Sequence, residues 1–170
     1  NPVWSRGPNG DDRWGECSNP DDRNKPLSLR LHAILFDAGF RSIEGSPLQY
    51  MVDIVGHLAT YHCFYQTVDE SAVLTCAVCA PALVPAAARR QVSEFITALN
   101  FNLKLGAFEI TFVDGIFRFR AGIPLGDTTP NPTMVASIAY VGVAMFDRYW
   151  PRMLEIIAGA RSGVDAAALP

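Results

Sequence analysis

Two runs of alternating apolar and polar residues flank the dipeptide Asp114-Gly115, and this pattern constrains the fold more than any other part of the chain. Alternation with a period of two is typical of strands that bury one face, and Asp-Gly favours a two-residue type I′ turn between antiparallel strands. Such a turn fixes the register, which decides the side chains that face the core. The predicted core-facing pairs are Phe112 with Phe117, Ile110 with Phe119 and Phe108 with Ala121. The polar face would pair Glu109 with Arg120 and Thr111 with Arg118.

The rest of the chain predicts further helices and strands on both sides of this hairpin. Apolar residues at helical spacing predict helices over residues 27–38, 85–101 and 133–158. Segments rich in β-branched and aromatic residues predict strands over 50–55, 60–68 and 72–80. The order is therefore helix, three strands, helix, two strands, helix. It predicts an α+β fold in which helices pack on an antiparallel sheet of about five strands.

The last predicted helix is apolar around most of its circumference, more than a helix that covers one core requires. We expect Val135 and Ile138 to face the core. Tyr140, Val143 and Trp150 would then face a protein partner or a second copy of the chain. Pro151 lies inside this helix and predicts a kink or break one turn earlier, near Asp147.

The two ends of the chain differ in composition from the domain predicted over residues 27–159. Residues 1–26 are rich in Pro, Gly, Asn and Asp and lack apolar periodicity, which predicts an extended arm. Trp4 and Trp14 are its candidate anchors, on this domain or on a partner. The Ala-rich residues 160–170 are predicted to form a tail. Because the chain starts at Asn1, we expect that a targeting segment was removed or that the sequence is incomplete.

Charge and hydropathy argue against two classes of partner. The formal net charge is −3 and no basic cluster is present in the sequence, so binding to nucleic acid is not expected. The longest apolar run, from Met134 to Phe146, is shorter than the roughly 20 residues that span a bilayer. We therefore expect a soluble protein.

Three cysteines of the predicted sheet suggest a second, chemical hypothesis. Cys76 and Cys79 have the spacing of metal and redox motifs, but in a strand they would point to opposite faces. A two-residue loop at Asp69-Glu70 would place Cys63 opposite Cys76, where a strained disulfide or two reduced thiols are possible. His57 could activate Cys63 only if the fold brings the two together. The alternative function is thus a small thiol- or zinc-dependent enzyme that uses Cys63, Cys76 and Cys79.

Several stretches of the domain resemble the YbjN family. They are Val84-Pro85 with Phe95 to Asn100, Gly106 to Ile110, Asp114 to Arg120, and the segment from Phe146 to Pro151, which is similar to the family's Asp-Arg-Tyr-aromatic-Pro signature. The resemblance covers residues 27–159. It implies a fold similar to type III secretion chaperones, in a bacterial or plastid-associated protein, and it implies no catalytic residue or cofactor. The arm with its tryptophans and the Cys-rich strands from Tyr61 to Cys79 depart from the family pattern.

Together these observations predict a non-catalytic protein-binding or scaffold protein, chaperone-like or an accessory subunit of a larger assembly. No metal or other cofactor is expected. The candidate partner-binding residues are Trp4, Trp14, Tyr140, Val143 and Trp150.

Overall fold

The computed structural model describes residues 26–46, 49–68, 72–126, 128 and 130–159. Three α-helices and six strands follow one another along these residues. They are α1 (Leu27–Asp37), β1 (Ile43–Ser46), β2 (Gln49–Val55), β3 (Thr60–Val68), β4 (Val73–Cys79), α2 (Arg89–Asn102), β5 (Ala107–Ile110), β6 (Phe117–Pro124) and α3 (Pro132–Ile157). A short 3₁₀ turn, Ala86–Ala88, leads into α2.

The strands form one antiparallel sheet in the order β1-β2-β3-β4-β6-β5. The predicted α+β class and order of elements are confirmed, with β1 as an additional strand at one edge. No strand was predicted over residues 43–46, because Gly45 and Ser46 interrupt any apolar alternation there. The helices pack on one face of the sheet: α3 lies over β4 and β6, α1 beside it over β3, and α2 over β5.

The hairpin of β5 and β6 has a different register from the predicted one. Phe108 lies opposite Phe119, and Glu109 opposite Arg118, so the pairing is displaced by two residues. A type I′ turn needs a positive φ at both central residues, and of the two only Gly115 has one, at 79°. The connection is a longer loop, closed by a hydrogen bond from Thr111 N to Ile116 O of 3.0 Å.

A displacement of two residues preserves the face of every strand position, so part of the hairpin prediction holds. Phe108, Phe117, Phe119 and Ala121 are buried on the core side, as expected. Phe112 is the exception, because it lies in the loop and 60% of it is exposed.

Asn100 of α2 bonds to the outer edge of β5. Its Nδ2 donates to Phe108 O at 2.9 Å, and its Oδ1 accepts from Phe108 N at 2.8 Å. Phe108 belongs to the strand at that end of the sheet, so a side-chain amide satisfies the backbone groups that would otherwise face outward.

Helix α3 is the central helix of the core and continues through Pro151 without the predicted break. Its first turn is capped by the Asn131 side chain, which accepts from Met134 N at 2.9 Å. Val135 and Ile138 are buried, as predicted. Among the described residues, no helix is both long and apolar enough to cross a bilayer.

Gly142 lets α3 approach the sheet closely. A Cβ at this position would lie 2.5 Å from Val78 Cγ2 and 3.2 Å from Phe119 Cδ1, well inside normal carbon contact distances. Both neighbours are fully buried, so neither has space to move away. The spacing between α3 and strands β4 and β6 thus depends on a residue without a side chain.

Candidate functional site

The cysteines do not form the chemical site that their spacing suggested. Cys76 is buried on the core face and Cys79 is partly exposed on the other, which confirms that the two point apart. Cys63 lies opposite Val78, and Tyr65 opposite Cys76, so the predicted pairing of Cys63 with Cys76 was wrong by two residues. The register differs because the β3–β4 connection is longer than the two residues assumed.

All three described cysteines are free thiols. Burial, reinforced by the neighbouring Cys63, raises the pKa of Cys76 well above its ordinary value. Burial also raises the pKa of Cys79, although Arg118 opposes this effect. Because the thiolate is the nucleophile and the metal ligand, Cys76 and Cys79 are held in their unreactive form at neutral pH.

The histidines also lie apart from the thiols. His62 is on the open sheet face, where its Nδ1 lies 2.6 Å from Asp53 Oδ1, whereas Cys63 faces the core. His57 lies in the exposed turn after β2, where its backbone nitrogen bonds to Asp147. Within the described residues, no three side chains of His, Cys, Asp or Glu come together to hold a metal.

Asp147 joins α3 to the turn between β2 and β3. Its carboxylate accepts from His57 N at 2.8 Å, Leu58 N at 3.1 Å and Tyr61 Oη at 2.9 Å. Partial burial opposes ionisation, but these hydrogen bonds and nearby His57 outweigh it and hold the pKa of Asp147 below its usual value. A Cβ on Gly56 would lie 2.8 Å from Asp147 Oδ2, so the turn has space for the carboxylate only with glycine there.

The predicted partner-binding residues of α3 have different environments. Val143 and Trp150 are buried within the chain's own core, so these two assignments were wrong. The indole of Trp150 stacks on Phe117, with 6.3 Å between the ring centroids. Tyr140 is 54% exposed and lies beside Phe40. Trp4 and Trp14 lie outside the described residues.

Arg89 organises the loop between β5 and β6. From the first turn of α2, its Nη1 donates to Phe112 O at 2.8 Å and to Val113 O at 3.1 Å. Its Nε donates to Val84 O at 3.1 Å. One guanidinium therefore binds three carbonyl groups from two separate segments of the chain. A lysine could not replace it, because its ammonium group lacks the fixed, planar arrangement of N–H donors.

Further hydrogen bonds hold the same loop. Val84 N donates to Gly115 O at 2.9 Å, and the Asp114 carboxylate accepts from Ile116 N at 3.0 Å and from the Thr111 hydroxyl. The loop backbone is thus held by hydrogen bonds from Arg89, from Val84 and from within the loop itself.

Two of the side chains that this loop exposes to solvent, Phe112 and Val113, are apolar; the exposed Thr111 and Asp114 beside them are polar. The exposed fraction is 93% for Val113 and 60% for Phe112, while the adjacent Leu83 and Ile116 expose 63% and 39%. We call these four residues the tip cluster. Exposed apolar side chains that lie close together on a fixed backbone are typical of a surface that binds another molecule.

The sequence contains one signal for the tip cluster. Phe112-Val113 precede the turn directly, and a loop even two residues longer than predicted would turn them from strand into exposed loop. Arg89 could not have been linked to them, because more than twenty residues separate it from the loop.

Comparisons with protein-family models, with curated proteins and with solved structures give no match for this chain.

Proposed function

We propose that this protein is a non-catalytic protein-binding or scaffold protein, and that the tip cluster is the surface that contacts its partner. The observation that carries this proposal is the exposure of Phe112 and Val113 on a loop held by the three hydrogen bonds of Arg89. Buried aromatic anchors dominate the energy of protein interfaces, and a pre-formed loop loses little conformational entropy on binding. The resemblance to the YbjN family, with its chaperone-like fold, supports the same kind of role.

The chemistry of the described side chains supports a role in binding over a role in catalysis. Cys63 and Cys76 are buried, and His57 and His62 lie away from both thiols. The Asp147 carboxylate accepts hydrogen bonds from two backbone N–H groups and one hydroxyl, which is a structural role. The proposed role is that of a chaperone-like protein or an accessory subunit.

The test uses two double variants of the full chain. In the tip variant, Phe112 and Val113 are both replaced by Ser. In the matched control, Leu29 and Phe101 are replaced by Ser; these residues are 65% and 90% exposed but lie on α1 and α2, outside the tip cluster. Each form is used for quantitative affinity purification from the source cells, and the partner found is then purified and titrated by calorimetry.

We expect the tip variant to bind the purified partner at least about 30-fold more weakly, as when an interface hot spot is lost. The control should bind like the wild type. Arg89→Lys keeps the four residues of the tip cluster but removes the guanidinium that holds the loop. It should weaken binding several-fold, because the loop is then no longer fixed in one conformation. If the tip variant and the control lost the same amount of affinity for the partner, the proposal would be contradicted. So would Phe112-dependent flotation with lipid vesicles, which would indicate a membrane surface instead.

A further inference from the structure

Helix α1 has two apolar faces. One of them includes the fully buried Leu31 and Leu35 and packs in the core. On the other side of the helix, Leu29, Ala33 and Phe36 recur at the spacing i, i+4, i+7, which places their side chains in one row. We call these three residues the α1 stripe. Leu29 is 65% exposed and Phe36 is 41% exposed, whereas a surface helix usually carries polar side chains on its outer face.

The α1 stripe is too small to hold a separate protein. It offers two large side chains and one methyl group, whereas a stable protein interface uses roughly 20–30 residues from each partner. A segment of the same chain needs far less contact, because its tether keeps it at an effective concentration on the order of millimolar. The size of the stripe therefore favours a covering segment that belongs to this chain.

The predicted N-terminal arm is attached directly to the start of the α1 stripe. The structure describes the chain from Pro26, and α1 begins at Leu27, so residues 1–25 end within one helical turn of the stripe. From Leu27 to Phe36 the helix advances only about 14 Å. Trp14 stands twelve positions before Pro26, and an extended chain of that length spans up to about 40 Å. Trp14 can therefore reach every part of the stripe.

The composition of residues 1–25 identifies the side chain that would cover the stripe. Apart from prolines, the apolar residues of this segment are Val3, Trp4, Trp14 and Cys17. A tryptophan buries the largest apolar area of these side chains. Trp14 is ten residues closer to α1 than Trp4, so the loop that it closes costs less entropy. Trp14 is therefore the best anchor that the arm contains.

We propose that the arm folds back along α1 and that the Trp14 indole covers the α1 stripe between Leu29 and Phe36. The arm is then an intramolecular ligand of its own domain, and Trp14 anchors it there rather than on a partner. This inference goes beyond the proposed function, because none of its residues belongs to the tip cluster. Each of the two can therefore fail without the other.

The first test uses trypsin on the folded full chain, because Arg13 directly precedes Trp14. Mass spectrometry follows cleavage after Arg13, whose rate reports how often this part of the arm leaves the domain. Each rate is divided by that of a peptide with the same residues 8–20, which corrects for any direct effect of a substitution on the protease.

Two variants alter the two sides of the contact. Trp14→Ser changes the arm and no residue of the domain, while the double variant Leu29→Ser/Phe36→Ser changes the α1 stripe. We expect Arg13 to be cleaved at least about fivefold faster in each than in the wild type. Combining all three substitutions should add little, because both variants remove the same contact. The matched control, Phe101→Ser, alters a residue of α2 that is 90% exposed and should be cleaved like the wild type.

Fluorescence gives a second measurement without a protease. Trp4→Phe leaves the indoles of Trp14 and Trp150, and Trp150 is buried in the core. Iodide should therefore quench little of the emission, and adding Leu29→Ser/Phe36→Ser should raise the quenching constant at least about threefold.

The proposal is overturned if Arg13 of the wild type is cleaved as fast as in the peptide. It is also overturned if the stripe variant and the Phe101→Ser control are cleaved at the same rate. A wild type whose Arg13 is unprotected, but whose tip variant has lost its protein partner, would reject the docked arm and leave the proposed function standing.

Discussion

The close approach of α3 to the sheet makes Gly142→Ala a sharp test of the structure. The new methyl carbon would lie 2.5 Å from Val78 Cγ2, against an optimum of about 3.5–4.0 Å between carbon atoms. The helix must therefore move out by roughly 1 Å, or Val78 and Phe119 must leave their positions in a closely packed core.

Two effects of opposite sign determine how much Gly142→Ala changes the free energy of unfolding. Extra methyl groups in a packed core typically cost about 1–3 kcal/mol, and a site with both neighbours fully buried belongs at the upper end. Alanine is better than glycine inside a helix by about 1 kcal/mol, which offsets part of this cost. We expect Gly142→Ala to lower the free energy of unfolding by about 2 kcal/mol.

The assay is urea unfolding followed by circular dichroism, with Ala144→Gly as the control. Ala144 is exposed on the same helix, so this change measures the propensity effect alone, about 1 kcal/mol of destabilisation. Val78→Ala removes the clashing methyl group, so the double variant with Gly142→Ala should be more stable than the sum of the single effects by about 1–2 kcal/mol. A Gly142→Ala protein as stable as the wild type, or strictly additive effects, would refute the close packing of α3.

Three further expectations concern the contacts of Asp147 with the β2–β3 turn and the edge of the sheet at Phe108. A carboxyl whose pKa is lowered by folding stabilises the protein above its unfolded pKa of about 4, and that stability is lost as the pH falls. Asp147→Asn should therefore be less stable than the wild type at pH 7, and the difference in unfolding free energy should narrow in titrations from pH 6 to pH 3. Gly56→Ala should lower the free energy of unfolding, measured by thermal unfolding, by about 1–3 kcal/mol, because the new methyl group displaces the Asp147 carboxylate. The control, Gly122→Ala, should lower it clearly less, because a Cβ at that position has an ordinary contact of 3.4 Å. Asn100→Leu, similar in size, should leave both edge groups of Phe108 unbonded and cost about 1–3 kcal/mol in urea unfolding; an unchanged midpoint would contradict the edge contacts.

Local periodicity was sufficient for most of the fold. Alternation alone placed Cys76 and Cys79 on opposite faces, and helical spacing placed Val135 and Ile138 in the core. These predictions succeed because the direction of a side chain depends on a few neighbouring residues.

The predictions that were wrong concern residues whose environment depends on segments far away in the sequence. Val143 and Trp150 were expected to need a partner, but both are buried within the chain: Trp150 stacks on Phe117 of β6, and α1 and α2 pack against α3 beside the sheet. The β5–β6 loop is held by Arg89, which belongs to another element and donates to the carbonyl groups of Phe112 and Val113. The exposed tip cluster follows from that loop, so it could not be derived from the Asp114-Gly115 pattern alone.

The amide of Asn100 also bears on how an extended peptide could bind to this sheet. It occupies the place at Phe108 where an extended peptide from another molecule would add itself to the sheet, a mode that recognises backbone and tolerates many sequences. With that position occupied, an incoming chain gains little from running alongside β5. For the proposed binding role, recognition would then rest on the side chains of the tip cluster beyond the end of the strand, where shape and hydrophobicity decide the fit, rather than on backbone pairing along β5.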